Sequence, residues 1–150
     1  MGLLSQQRLA ELGRAHEAAE FVFDYDGTMA TLVANPVYFW FPQRLRIEGY
    51  AAVREMYVRL EPVTRLQVEK LATRNIHYMA YGENQLAAEI DFEYPFPDGV
   101  TRLVRLASFL KYDGELLLGE TLYADGLFAR VLDDVVFDAK YLRMPGVTRF

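Results

Sequence analysis

The chain has 150 residues, of which 52% are hydrophobic and 25% charged, so its composition is that of one ordinary globular domain, 1–150. Its net charge of −5 argues against a nucleic-acid partner or an anionic membrane, because both need clustered Lys and Arg. The absence of cysteine excludes disulfides and thiolate chemistry, and no apolar run reaches the roughly 20 residues that span a bilayer. We therefore expect a cytoplasmic protein.

Helical periodicity dominates the start of the chain. Ser5 is a suitable N-cap for a helix over roughly the first 20 residues, and Asp24 or Asp26 can cap a second, short helix over Thr28–Val33. Apolar residues and one histidine recur on one face of the first helix at three- and four-residue steps: Leu9, Leu12, Ala15, His16, Ala19, Val22 and Phe23.

The next segment combines one strand with one helix. Asn35-Pro36 breaks the second helix, and Val37–Phe41 is a strongly aromatic strand that Pro42 closes. A third helix is predicted over Tyr50–Leu60, with Pro62 ending it.

Two long hairpins follow. The first is predicted over Leu71–Tyr81 and Gln85–Tyr94, and the second over Val100–Tyr112 and Glu115–Asp125, with Asp113-Gly114 as a two-residue turn. Gly126–Leu132 can form a last helix, which ends a core of about 4–132, and the tail 133–150 has no clear period. Helices segregated from a run of antiparallel strands indicate an α+β fold with helices on one face of the sheet.

The turn at Asp113-Gly114 also predicts which side chains share a face. It sets Arg105 opposite Leu122, Ala107 opposite Glu120 and Phe109 opposite Leu118. In the preceding strand Glu89, Asp91 and Glu93 alternate on one face, which is also the pattern of a solvated surface. Periodicity alone leaves open which face is concave.

One short motif suggests a phosphatase. Asp24-Tyr25-Asp26-Gly27-Thr28 resembles the DxDGT signature of haloacid-dehalogenase-like phosphatases, which would make Asp24 a nucleophile, Asp26 an acid/base and Asp133-Asp134 a magnesium-binding pair. That signature follows a buried parallel strand, whereas the residues before Asp24 are charged and helical in period. A helix-capping turn explains the same residues.

A resemblance that covers about Leu4 to Asp125 is to the SnoaL-like group of the nuclear-transport-factor-2-like superfamily, which includes ketosteroid isomerases, polyketide cyclases and limonene-type epoxide hydrolases. The matching stretches are Asn35-Pro36-Val37-Tyr38 with Phe41-Pro42, Gly49 with Ala52-Val53-Arg54 and Tyr57, Leu86–Asp91, Phe109 with Asp113-Gly114, and Gly119–Asp125. The resemblance implies a cone, in which a curved antiparallel-rich sheet closed by the N-terminal helices holds a ligand.

The resemblance also implies site residues. In epoxide-hydrolase-like members a Tyr of the first strand and an Arg-x-Asp pair of the fourth point into the cone; Tyr38 and Asp91 match the Tyr and the Asp. Glu89 replaces the Arg and Leu122 replaces the second catalytic Asp, so epoxide hydrolysis is not expected. The ligand-binding candidates are Trp40, Tyr57, Arg105, Phe109, Glu120 and Leu122.

Two functions are compatible with such a pocket. The first is cofactor-free and metal-free acid/base catalysis on a small hydrophobic molecule, such as an isomerisation, cyclisation or dehydration, with Asp91 as the base and His77 or Tyr38 as a hydrogen-bond donor. In it Arg105 tunes the carboxylates, and His77 faces the pocket only if its hairpin loop has three residues. The second is a non-catalytic binding or interaction module, a homodimer joined through the outer face of the sheet by Val104, Leu106 and Tyr123.

Overall fold

The computed structural model describes residues 2–150, which form four helices, two 3-10 turns and one seven-stranded sheet. The helices are α1 (Gln6–Phe21), α2 (Tyr25–Ala30), α3 (Tyr50–Glu69) and α4 (Gly126–Val135), and the 3-10 turns are Leu71–Thr73 and Tyr141–Arg143. The strands are β1 (Val37–Phe41), β2 (Leu45–Glu48), β3 (Asn75–Gly82), β4 (Gln85–Pro95), β5 (Thr101–Asp113), β6 (Leu116–Ala124) and β7 (Val147–Arg149).

The strands pair in the order β3-β4-β5-β6-β1-β2-β7, antiparallel except for β1 beside β6, and the sheet is curved and unclosed. The helices pack against one face, which we call the inner face, and the opposite face is the outer face. The predicted α+β class with an antiparallel-rich curved sheet is therefore confirmed. Among residues 2–150, no helix has the length and apolar character needed to cross a membrane.

The helix starts follow the predicted capping residues. The Ser5 hydroxyl accepts a hydrogen bond from the Arg8 amide, and the Asp24 carboxylate accepts one from the Gly27 amide. Capping by Asp24 starts α2 at Tyr25, three residues before the predicted position. Of the DxDGT-like residues, Asp24 is thus the cap and Tyr25–Thr28 belong to the start of α2, as the helix-capping explanation requires.

The third helix does not end at Pro62 as predicted. It continues to Glu69 with Pro62 inside it, although proline removes one backbone hydrogen bond there. Val63, which follows the proline, is 1% exposed. Burial of the apolar face beyond Pro62 therefore outweighs the lost hydrogen bond.

The tail 133–150 contributes more structure than its sequence suggested. The predicted tail contains the end of α4, and its strand β7 pairs with β2 and extends the sheet. The Phe137 ring packs 5.6 Å from the ring of Trp40, and the Tyr141 hydroxyl donates to the Ala52 carbonyl. These contacts fix the segment against the core.

The register of the second hairpin differs from the predicted one. The two turn residues are Gly114-Glu115, and a bulge at Lys111/Tyr112 shifts the pairing, so that Ser108 lies opposite Leu122. Gly119 lies beside the bulge with φ 138, and its backbone approaches β1 so closely that a Cβ would lie 1.8 Å from the Val37 carbonyl oxygen. An odd shift in register moves each side chain of one strand to the other face.

Candidate functional site

A cavity of about 280 Å³, the main cavity, lies between the inner face of the sheet and helices α1 and α3. Its walls are mostly apolar, and Ile76 and Met79 of the edge strand β3, which are 53% and 41% exposed, line it. Other apolar lining residues are Trp40, Met56, Leu86, Ile90, Leu106, Leu110, Leu122 and Phe128. An enclosed apolar space with a few polar groups is the usual form of a small-molecule site.

The main cavity includes half of the residues predicted for the site. Tyr38, Trp40, Tyr57, Glu120 and Leu122 line it. Tyr38 and Trp40 alternate with Phe39 along β1, so both project from the inner face, as the resemblance implied.

The predicted placement of Glu89 and Asp91 inside the cone is wrong. The β4 residues that line the main cavity are Leu86, Ala88 and Ile90, and the two acids alternate with them on the outer face. The physical reason is strand parity, since neighbouring residues of a strand point to opposite faces.

Three further candidates lie with them on the outer face. Arg105 pairs with Asp91 across the β4–β5 ladder, and its guanidinium contacts Glu89 at 3.2 Å and Asp91 at 3.3 Å. The hairpin loop after β3 has two residues, His77 occupies a bulge near the start of β3, and its Nε2 hydrogen-bonds Asp91. Phe109 also lies on the outer face, where it is 48% exposed. Arg105, His77 and Phe109 are therefore not cavity residues.

Asp91 is held by neutral and cationic donors. Asn75 donates to its Oδ1 at 3.0 Å, while His77 and Arg105 contact its Oδ2. The hydrogen bonds from Asn75 and His77 keep the pKa of Asp91 below its usual value of 3.8. A carboxylate so stabilised is a weak base, which is the opposite of the predicted catalytic behaviour.

The ionisable groups of the main cavity instead surround His16 of α1. Its Nε2 lies 2.8 Å from Glu20 Oε1, 3.3 Å from Glu120 Oε1 and 3.0 Å from the Tyr57 hydroxyl. His16 and Glu20 are one helical turn apart, and Glu120 reaches them from β6. We call His16, Glu20, Tyr38, Tyr57 and Glu120 the polar cluster.

A hydrogen-bond relay fixes the protonation of one His16 nitrogen. The Thr31 hydroxyl donates its single proton to the Thr28 carbonyl, so it accepts from His16 Nδ1 at 2.6 Å. Nδ1 therefore carries a proton, and Nε2 is the nitrogen that faces the two carboxylates. A second proton on Nε2 makes an imidazolium ion that donates to Glu20 or Glu120.

Burial and charge act in opposite directions on the pKa values of the polar cluster. Burial opposes a charge on His16, but the carboxylates of Glu20 and Glu120 outweigh it and raise the pKa of His16 to about 10. Burial also raises the pKa of Glu20, and it holds the pKa values of Tyr38 and Tyr57 well above their usual value. At neutral pH the two tyrosines are therefore neutral hydrogen-bond donors beside a cationic imidazole.

The tyrosine hydroxyls form a chain that ends on Glu120. Tyr57 and Tyr38 hydroxyls are 2.6 Å apart, and Tyr38 donates to Glu120 Oε1 at 3.4 Å. Ser108 donates to the other carboxylate oxygen at 2.7 Å. Glu120 thus accepts several hydrogen bonds, whereas the Glu20 side chain is 24% exposed and is the more accessible carboxylate.

The polar cluster also has the spacing of a metal site. His16, Glu20 and Glu120 each offer one ligand atom, and the three atoms lie within 4.8 Å of one another. The His16 charge already compensates one of the two carboxylates, so we interpret the three residues as a proton-sharing group.

Sequence reasoning missed His16 and Glu20 as functional residues. His16 was placed on the apolar face of the first helix, and the signal that could have identified it is its polar character there, with a glutamate four residues later. A histidine and a carboxylate one turn apart on a buried helix face are both costly unless they contact each other.

A curved sheet of this topology, closed by helices over an apolar cavity, is the nuclear-transport-factor-2-like fold, and the resemblance predicted from the sequence is confirmed at that level. Three similar structures cover 82–90% of the chain. No protein-family model and no curated protein matches the sequence.

An NTF2-like protein of unknown function from Burkholderia pseudomallei is 10% identical over 90% of this chain and 100% of its own, with a TM-score of 0.63. The epoxide hydrolase/cyclase-like enzyme SalBIII, with a role in pyran ring formation in the polyether salinomycin, is 13% identical over 82% and 95%, with a TM-score of 0.61. TerC, crystallised with polyporic acid, is 10% identical over 87% and 99%, with a TM-score of 0.60. At these identities the likeness concerns the fold.

Proposed function

We propose that the protein binds a small hydrophobic molecule in the main cavity and transfers a proton on it, in an isomerisation, cyclisation or dehydration. The observation that carries the proposal is the polar cluster itself, in which an imidazole between two carboxylates faces an otherwise apolar space. Titratable groups with shifted pKa values in a cavity are typical of catalytic sites.

In this proposal Glu20 is the general base. It is the more exposed of the two cluster carboxylates, and its raised pKa makes it a stronger base than an ordinary glutamate. The His16 cation would hold the second carboxylate, Glu120, and stabilise the ionised form of Glu20. The proton that Glu20 accepts from a carbon or hydroxyl group returns to another atom of the same molecule.

The two tyrosines supply hydrogen bonds to an oxygen of the substrate. Tyr57 is 7% exposed and Tyr38 is 1% exposed, so Tyr57 is the donor closer to a bound molecule. Turning the Tyr57 hydroxyl from Tyr38 towards a carbonyl oxygen would stabilise the negative charge that develops there.

The comparison with SalBIII and TerC supports the proposal of a small-molecule site, since the fold accommodates a cyclase-like enzyme and a protein crystallised with an organic acid.

A generic probe can test the proposed base without knowledge of the substrate. 5-Nitrobenzisoxazole is a flat apolar molecule whose ring C–H proton is taken by a carboxylate while the N–O bond breaks to give a nitrile and a phenolate. We expect Glu20→Gln to lower its turnover about 100-fold or more, as loss of a general base does. Glu11→Gln on the same helix, a partly exposed glutamate that pairs with Arg8 and does not line the main cavity, is the matched control.

The pH dependence of turnover and a direct measurement of binding provide two further tests. Turnover should rise with pH as Glu20 loses its proton, with a midpoint above 4.5, the ordinary glutamate value. Trp40 is the single tryptophan and lines the main cavity, so quenching of its fluorescence reports binding directly. Quenching without turnover would indicate a non-catalytic binding protein, and equal turnover by both variants would remove Glu20 from the mechanism.

We also propose that two copies associate through the outer face. Val104 and Leu106 are on the inner face, contrary to the predicted patch, but Tyr123 is on the outer face and 46% exposed. It stacks on Phe41 at 4.7 Å and meets Phe109 edge-on at 5.9 Å, which gives an aromatic patch of the kind that dimers bury. Light scattering should show a dimer that Tyr123→Glu converts to a monomer, whereas a monomeric parent protein would contradict the proposal.

The cytoplasmic location and the lack of a nucleic-acid partner stay predictions from composition.

A further inference from the structure

A second pocket of about 480 Å³ lies apart from the polar cluster, between α4, the C-terminal part of α3 and the connection 96–100. Phe128 stands between the two spaces, since it lines the main cavity while its ring lies 6.4 Å from the ring of Tyr94 in the second pocket. The second pocket has apolar walls from Leu66, Phe96, Leu127, Val131 and Val135. Its volume is within the range of small-molecule sites.

The base of the second pocket has an unused hydrogen-bond donor. Tyr94 is 5% exposed, and within residues 2–150 its hydroxyl has no hydrogen-bond partner. Burial raises the pKa of Tyr94, so the phenol keeps its proton. The Tyr94 hydroxyl is thus free to donate to an acceptor on a bound molecule.

The rim of the second pocket has two charges of opposite sign that do not neutralise each other. Arg130 and Asp134 are one turn apart on α4, and in the described part of the chain neither belongs to an ion pair. The other two charges of the rim, Asp98 and Arg102, are joined at 2.7 Å and need no further partner. The free charges therefore fit a ligand that itself carries both signs.

We propose that the second pocket binds an apolar α-amino acid. The ligand's carboxylate would accept from Arg130 and from the Tyr94 hydroxyl, its ammonium group would contact Asp134, and its side chain would fill the apolar walls. A zwitterion satisfies all three polar groups, whereas a simple carboxylic acid would leave Asp134 beside a like charge. The proposal is independent of the chemistry in the main cavity.

Three probes that share a phenyl group separate the contributions of the ligand's carboxylate and ammonium groups to binding. L-Phenylalanine has both charges, 3-phenylpropanoate lacks the ammonium group, and 2-phenylethylamine lacks the carboxylate. In amide NMR spectra of the full chain, L-phenylalanine should move signals of residues 94, 96, 98, 99 and 126–135 and bind about tenfold more tightly than either analogue. No movement up to about 10 mM, a limit that corresponds to very weak binding, would overturn the proposal.

Substitutions on the exposed side of α4 test the two charges. Arg130→Gln should weaken L-phenylalanine and 3-phenylpropanoate about tenfold each. Asp134→Asn should weaken L-phenylalanine to the same extent but leave 3-phenylpropanoate unchanged or tighter. Asp133→Asn, one residue away and outside the second pocket, is the matched control and should change neither. Equal effects of the two aspartate substitutions, or shifts confined to α1 and β6, would contradict the assigned site.

Discussion

Replacement of His16 by glutamine tests the polar cluster most directly. The change keeps a side chain of similar reach but removes the charge between Glu20 and Glu120. His16 is 3% exposed, so solvent screens its interactions with the two carboxylates little. The variant should leave two carboxylates facing each other in a poorly hydrated space.

The magnitude follows from the pKa of His16. A rise from 6.5 to about 10 corresponds to about 5 kcal/mol at 1.36 kcal/mol per pKa unit. Because burial also raises the pKa of Glu20, part of this gain is offset, and we expect His16→Gln to lower the free energy of unfolding by about 3 kcal/mol at pH 7. The folded-state pKa is the higher one, so the stabilisation is complete below pH 6.5 and is lost as pH rises through about 10.

Urea unfolding followed by Trp40 fluorescence measures this difference at several pH values. The gap between parent and variant should be largest near neutral pH and should close towards pH 10. It should also shrink in acid, where the two glutamates take up protons. His77→Gln, which removes the other of the two histidines, allows the His16 imidazole signal to be assigned in NMR spectra.

A gap that stays constant from pH 6.5 to pH 10 would refute the reasoning, since it would mean that the His16 charge does not stabilise the fold. An NMR titration of His16 with a midpoint near 6.5 would refute it independently.

Three other substitutions have clear expected outcomes. Gly119→Ala should lower the free energy of unfolding by about 4 kcal/mol or more, measured in urea, because the new Cβ would overlap the Val37 carbonyl. Asp91→Asn should lower the melting temperature above pH 3.8, where the carboxylate is charged, yet leave quenching of Trp40 by the benzisoxazole unchanged, since Asp91 is on the outer face. Pro62→Ala should raise the free energy of unfolding by about 1–3 kcal/mol, because it restores a hydrogen bond inside α3. Each argument would be contradicted by one result: an unchanged free energy of unfolding for Gly119→Ala, a loss of Trp40 quenching for Asp91→Asn, or a lower free energy of unfolding for Pro62→Ala.

Local signals predicted the elements well, because each depends on a few neighbouring residues. The caps at Ser5 and Asp24 and the aromatic strand Val37–Phe41 lie where the sequence places them. Proline at position 62 misled the prediction, since burial of the following apolar residues is a tertiary effect. β2 and β7 were missed, and both are short: β2 has four residues and the edge strand β7 has three.

The sequence predicted only part of the site. Tyr38 and Trp40 line the main cavity, and the resemblance implied this orientation for β1. The same resemblance placed Glu89 and Asp91 in the cone, but β4 has the opposite parity and their side chains lie on the outer face. One bulge residue reverses the direction of each side chain beyond it.

The contribution of α1 to the site was missed for a different reason. Periodicity places His16 and Glu20 within a helix, but it gives no information on which β-strand residues they meet. Contact with Glu120 joins residues more than a hundred positions apart, and only the three-dimensional structure brings them together.

The bulge at His77 has a consequence for the behaviour of the protein at high concentration. β3 is an edge strand with Ile76 and Tyr78 more than half exposed, and a regular edge of this kind could add a strand from another molecule. The extra residue interrupts the row of free amide and carbonyl groups, and at the opposite edge β7 has three residues only. The bulge therefore shortens the regular part of one edge and the other edge is short, so we expect both to be poor templates for open-ended growth into fibrils.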